Sequence, residues 1–521
     1  MKMRKAWAGI AAVAAAALVG ALGAAPSPAF AATDAASLQD EINKGGTATL
    51  ENDITGSITV PEGVTVTLDL GGFTLTNTDG QHTITNNGTL TITGNGTVDN
   101  VSHARAAVYN NVGGTATLGA ASYTRSKEAG SDPDTSNSNS YYNVVNQGTM
   151  TVESGAVVEQ SGHFSSLVEN GWYDGGQNAG KVPAKLTING GSFSGGINTI
   201  KNDDWGDLTI NGGSFSNTSQ AAVLNWNTAR ITNGEFSVSE GASCVIMNGC
   251  APGSESDKGE LTIAGGTFTA SNDGAGNVFG GFNDTNDGNG TVAITDGIFA
   301  GKLDKLGIIN MTVSGGTFSD KDVLKHVAAG DAVVKSDDGF TVMSEADASR
   351  TSLARIDVKG TNLYFDTVDD ANAYAKENGI NPDEVKVVQY VVTFVANGET
   401  TDVYYVKVGE PLGELPEIPE YEGHTVDGWY VNVTENADGT ATGTKIDETY
   451  VPTGDTTVTA MWTENAPVTP TTPAADAKPA EAPKKALPQT GDNTNAMLPA
   501  VIAGIGVVAI AAALIVRKRH N

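Results

Sequence analysis

The chain has 521 residues, length enough for two or more domains with substantial cores, and its 60 acidic residues against 30 basic ones give a formal charge of −30. That balance argues against nucleic acid as a partner, suits solubility on a cell surface, and leaves carboxylates that could take calcium. No other cofactor is expected.

Lys2, Arg4 and Lys5 precede an apolar stretch at residues 6–22, and Ala29-Phe30-Ala31 offers a small-x-small cleavage pattern, so residues 1–31 read as a removed export signal. The next segment, ASLQDEINKGG, reads as a short amphipathic helix with Ser37 as its N-cap, placed to cover the open end of the structure C-terminal to it.

From about residue 47 the chain repeats. KLTINGGSFS returns as DLTINGGSFS, ARITNGEFS, ELTIAGGTFT, VAITDGIFA and MTVSGGTFS, setting Phe193, Phe215, Phe236, Phe268, Phe299 and Phe318 in equivalent seats 19 to 32 residues apart. Each copy has alternating apolar residues, then glycines for a corner, then an inward aromatic. A second marker, Ile or Val two residues before an asparagine, picks out Asn86, Asn110, Asn146, Asn170, Asn202, Asn225 and Asn248. Short strands at this period, with little helix propensity between, predict a mainly β fold in which stacked coils form a parallel solenoid of roughly ten turns at about 4.8 Å each. The asparagines would run up one corner as a ladder of amides.

Residues 47–320 on this pattern resemble the right-handed parallel β-helix proteins, a family that includes pectate lyases, polygalacturonases and non-catalytic bacterial surface rods. The resemblance implies architecture and leaves activity open. Asp203-Asp204 is similar to the paired aspartates of polygalacturonases, but the Gly-His-Gly and Arg-Ile-Lys elements that accompany them there are absent. A glycosidase needs two carboxylates on opposite sides of the scissile bond, and neighbours in an extended chain point different ways. No catalytic residue is therefore assigned, and the chain is read as a non-enzyme; a β-helix polysaccharide lyase or hydrolase is the alternative, and a purely structural stalk a third.

The register puts Asp203, Asp204 and Trp205 just after ladder residue Asn202, with Trp172 and Tyr173 after Asn170 and Trp226 after Asn225. These residues are expected as an edge strip outside the inward set, whose aromatic faces and carboxylates suit sugar rings. The competing expectation is that the aromatics pack their own loops onto the rod. Cys244 and Cys250, the only cysteines, flank Asn248-Gly249, and an exported chain permits a disulfide between them; two buried thiols or a metal pair are the alternatives. DTNDGNG at residues 284–290 lacks calcium-loop spacing and reads as a polar turn, and no metal site is assigned.

Residues 321–389 read as a small α/β connector, with Thr367 capping a helix that Gly379 stops. Residues 390–463 carry Phe394, Asn397-Gly398, Gly428-Trp429-Tyr430 and Trp462, and resemble the Listeria-Bacteroides (internalin B-type) repeat, which implies a β-grasp-like fold. His424 and Val426 depart from that family's aromatics and Glu399 from its second glycine, so no shared ligand is carried over; Trp429 and Trp462 are expected in the core. Residues 464–486, rich in Pro, Ala and Thr, read as an extended linker.

The chain ends on Leu487-Pro488-Gln489-Thr490-Gly491, an apolar run at residues 497–516 long enough to span a bilayer, and Arg517-Lys518-Arg519. Together these resemble the LPxTG sorting signal of Gram-positive surface proteins. The resemblance implies that a sortase thiolate attacks the Thr490 carbonyl, expels Gly491 onward and hands the chain to peptidoglycan. It implies a transient membrane-spanning precursor and then a wall-bound protein on the outer face of the cell. An adhesin or glycan-binding role is the resulting expectation, with host or bacterial glycans or surface proteins as further partners.

Overall fold

The computed structural model describes residues 30–126, 141–160, 162, 164–172, 182–249, 259–271, 276–281, 290–304, 310–437 and 440–466. The chain divides into two compact units, one of residues 1–351 with 356–366 and one of 352–355 with 367–521.

The first unit is a parallel β-solenoid with three strands to a coil. On the first face Thr65–Asp69, Thr89–Thr93 and Thr115–Leu118 pair in parallel, and the column continues through Ala184–Ile188 and Gly206–Ile210 to Asn310–Val313. Alternation sends Val66 and Leu68, Leu90 and Ile92, Leu208 and Ile210 inward, where they are buried, while the threonines between them face water.

A glycine corner leads to the second face. Gly191, Gly213, Gly234, Gly266, Gly297 and Gly316 hold φ between 100° and 136°, a region open to glycine alone at low cost. At Gly234 an added Cβ would lie 2.9 Å from the Phe236 ring, so the glycine also makes room for the phenyl two residues on. Those phenyls, from Phe193 to Phe318, form one continuous stack with centroids 4.6–4.9 Å apart and planes within 9° of parallel. The coil spacing dictates that separation. Earlier coils fill the same seat with Leu75, Val98, Tyr123 and Val158.

The third face is a ten-stranded parallel sheet running from Ile58–Val60 to Lys302–Asp304. Each asparagine from Asn86 to Asn225 donates from Nδ2 to the Oδ1 of the next, at 2.7–2.8 Å, and Asn248 ends the ladder on the Gly259 and Thr291 carbonyls. Buried amides thus satisfy one another where the third-face strands end, alongside backbone bonds such as Asn111 N–H to the Asn86 carbonyl.

Both ends of the solenoid are closed. The helix Ala35–Lys44 buries Leu38 and Ile42, and its Gln39 amide both accepts from Thr59 N–H and donates to Thr59 C=O, which satisfies the edge strand that begins the third face. The N-cap is Asp34 rather than Ser37: the Asp34 carboxylate takes the Ser37 N–H at 2.7 Å while the Ser37 hydroxyl takes the Asp34 N–H, a capping box that places Ser37 one turn inside. Phe30–Ala32 adds a parallel strand beside Gly46–Leu50, so the expected cleavage after Ala31 falls within that strand. At the other end Gly339–Ser344 runs antiparallel to Gly316–Phe318 and forms a hairpin with Asp331–Ser336. The first unit therefore reaches past residue 320, where the repeat stops, because the last coil needs a partner for its open edge.

In the second unit Thr367 caps the helix Val368–Glu377, with Asp369 and Asp370 in its first turn. A five-stranded sheet lies C-terminal to it, in the order Glu399–Lys407, Gln389–Ala396, Thr456–Glu464, His424–Glu435, Ala441–Lys445, with only the second and third strands parallel. Phe394 meets Trp429 edge-on at 5.0 Å, and the stretch carrying Leu412, Leu415 and Ile418 packs over them. Trp429 is buried and donates to the Pro416 carbonyl; Trp462 is half-buried and donates to that of Pro419.

Candidate functional site

On the third face the residue between the inward Ile or Val and the ladder Asn must point away from the core. In register these residues are Thr85, Tyr109, Val145, Glu169, Lys201, Leu224 and Met247. Five of them, Val145 to Met247, are nonetheless buried. A second layer covers the sheet there, and it gathers the chemistry.

At its centre Lys201 Nζ pairs with Asp203 Oδ2 and lies 3.7 Å from Glu169 Oε2. Trp226 stands 4.8 Å from the ammonium, ring to nitrogen, and Tyr142 5.8 Å. Trp226 also packs with Leu224, Cys244 and Met247. Trp172 joins the roof by donating its backbone N–H to the Asp204 carbonyl at 3.1 Å. Toward the N-terminal coils His82 stacks on Tyr109 at 4.4 Å, and Tyr109 hydroxyl donates to Gln147.

Burial governs the charges. It pushes the Glu169 carboxyl well above the carboxylate range, and the nearby Asp203 charge adds to the effect against the opposing pull of Lys201. For Lys201 burial alone would favour the neutral amine, but the Glu169 and Asp203 carboxylates outweigh it and hold the ammonium. The arrangement is a Lys201–Asp203 ion pair with the Glu169 carboxyl, raised by burial, beside it. Burial likewise raises the Tyr142 phenol, with Glu169 second, and takes Tyr141 up to about 12. His82 is lowered to about 4 by burial and then by Arg105 and Arg125, and its Nδ1 accepts the Ala106 N–H as a neutral ring can.

The expected edge strip takes a different form. Trp172 and Trp226 are each only 5% exposed, Asp203 and Asp204 are buried, and Trp205 alone stands out, 37% exposed at φ 61°. The apolar outward residues Val145, Leu224 and Met247 explain this, since the indoles have more to cover on the face than to gain at the edge. Tyr173 lies outside the described residues. So do Cys250, and with it the expected disulfide; Cys244 is buried, with Sγ 3.3 Å from the Ile246 carbonyl. Residues 284–289 of the polar turn and the whole sorting signal also lie outside.

Glu169, Lys201 and Tyr142 escaped the sequence reading. A signal was there: the middle letters of the VYN, VVN, VEN and IKN triplets set Glu and Lys on adjacent coils among apolar neighbours. Among the described residues no three His, Cys, Asp or Glu side chains converge to hold a metal, and no helix is long and apolar enough to cross a membrane.

Residues 481–521 match the LPXTG cell wall anchor motif. No curated protein and no solved structure matches the chain.

Proposed function

We propose that this cell-wall-anchored surface protein, attached to peptidoglycan by sortase at the outer face of a Gram-positive cell, is a non-catalytic adhesin that presents its solenoid to glycans. The observation that carries the proposal is where the solenoid is irregular. Turns from the first to the second face are short and repeat: Ile188 to Ser192, Ile210 to Ser214, Ile231 to Glu235. The long insertions all flank the third face: Arg125 to Val144 before it, and Asn170 to Ala184, Asn248 to Glu260 and Gly280 to Thr291 after it. Variation confined to the margins of one face of a fixed scaffold is where recognition usually resides. Trp205, exposed at that margin, is an aromatic available for stacking on a sugar ring.

Burial of Asp203, Asp204 and Glu169 supports the non-catalytic reading, because a glycosidase or lyase must bring a polymer to its carboxylates. An export signal ending at Ala31 and a Listeria-Bacteroides-type repeat at residues 390–463 complete the proposed organisation. The test is a glycan array probed with the mature chain, with Trp205→Ala beside it and the bound glycans sized by mass spectrometry. Binding of intact glycans that weakens in the variant supports the adhesin; shortened products that vanish in Asp203→Asn make the chain an enzyme.

A further inference from the structure

We infer that the Lys201 amine and the Glu169 carboxyl condense to an amide that staples two neighbouring coils of the solenoid. Glu169 and Lys201 are direct partners in the parallel register, so their side chains leave the same face about 4.8 Å apart at the backbone. Lys201 Nζ lies 3.7 Å from Glu169 Oε2, which makes the amine and the carboxyl group immediate neighbours. Both side chains are almost wholly enclosed, and Glu169 Oε2 accepts no hydrogen bond. A buried carboxyl with an unused oxygen aimed at a buried amine is costly as an ion pair and well placed as a pair of reactants.

The third group supplies the proton traffic. Asp203 Oδ2 holds the ammonium while its Oδ1 accepts the Asp204 N–H at 2.9 Å, which fixes the carboxylate beside Nζ. The ammonium gives one proton to Asp203, leaving three neutral groups within the enclosure under Trp226 and Tyr142. The free amine attacks Glu169 Cδ. Asp203 passes its proton to the departing hydroxyl and receives the second N–H proton, so one C–N bond forms, one C–O bond breaks, and one water leaves. An ammonium, a carboxylate and a carboxylic acid become an amide, a carboxylic acid and water, with no oxidant or other reactant. Burial raises the Glu169 carboxyl toward the acid form that is attacked, while the Glu169 and Asp203 carboxylates raise the Lys201 amine, so the proton transfer to Asp203 must precede attack. Asp203 itself is the poorer acyl partner, since both its oxygens are engaged and it sits two residues from Lys201 in the same coil, where a bond would join no coils.

The experiment is peptide mapping of the whole mature chain, reduced before digestion. The expected result is a branched peptide, one water lighter than its two components, in which trypsin fails at Lys201 and fragmentation places the bond on Glu169. Lys201→Arg abolishes the branch, and Asp203→Asn slows its appearance after refolding several-fold or more. Complete tryptic cleavage after Lys201 in the folded wild-type chain overturns the inference, as does a branch mapped to Asp203. Because the wild-type map decides the matter, a variant that fails to fold does not blur it.

Discussion

Replacing Asn146 by leucine tests whether the ladder holds the coils together. Asn146 Nδ2 donates to Asn170 Oδ1 at 2.7 Å and to the Lys185 carbonyl at 2.9 Å, and its Oδ1 accepts from Asn110 Nδ2 at 2.8 Å and from the Gly148 N–H at 3.2 Å. Leucine keeps the same branched heavy-atom skeleton, though its methyls are bulkier, and can make none of these bonds. Asn110 Nδ2 keeps the Gly114 and Thr149 carbonyls, so it is not orphaned. Asn170 Oδ1 and Gly148 N–H are, each buried and each at about 1–3 kcal/mol, which sums to a loss of about 4 kcal/mol. Urea unfolding followed by circular dichroism should show that loss as a lower midpoint with an unchanged slope. A loss under about 1 kcal/mol would refute the reasoning, because water or rearranged amides would then serve as well as the ladder.

Phe268→Ala, in the middle of the stack, should cost about 3–5 kcal/mol in the same assay, and a neutral result would mean that the stack contributes no packing. Trp226→Ala should lower the melting temperature through the exposed Leu224 and Met247, whereas Trp205→Ala should leave it within error and weaken glycan binding alone; equal melting curves for the two variants contradict their different burial. His82 binds its proton in the unfolded chain near 6.5 but in the fold only at about 4. The stability tied to its neutral form is present above pH 6.5 and is lost as pH falls toward 4. The melting temperature should drop between those values in the wild type and less in His82→Gln. Thr490→Ala should divert the chain to membrane or medium, and an intact Arg517 tail on muramidase-released wild-type material would exclude attachment through Thr490.

The repeat was legible because each structural seat recurs with the same chemistry. Phe193 to Phe318 and Asn86 to Asn248 recur in one register, and alternation marks the inward set. Features that the period does not encode were missed. The hairpin that closes the last coil is a single event, and nothing in Gly339–Ser344 announces an antiparallel partner in Gly316–Phe318. Ser37 and Asp34 are both good caps three residues apart, and only the backbone decides which takes the role. The largest gap was the third face. Its outward residues are solvent-facing by alternation, but insertion-borne side chains such as Tyr142 and the folded-back Trp172 and Trp226 enclose them, and alternation cannot foresee a second layer.

The phenyl stack is not spread evenly, and on a tethered protein that matters under tension. Fluid drag on anything held by the solenoid is resisted at Thr490, so the pull enters through the coils nearest the anchor in sequence. Those are the coils with Phe193 to Phe318 in the second-face seat; Leu75, Val98, Tyr123 and Val158 occupy it in the distal ones. Strands perpendicular to the rod peel away coil by coil, and each freed coil of roughly 20–30 residues yields about 70–100 Å of slack chain. The most cohesive coils meet the force first, so yielding starts late and then proceeds in steps, each dissipating work before the next coil is loaded.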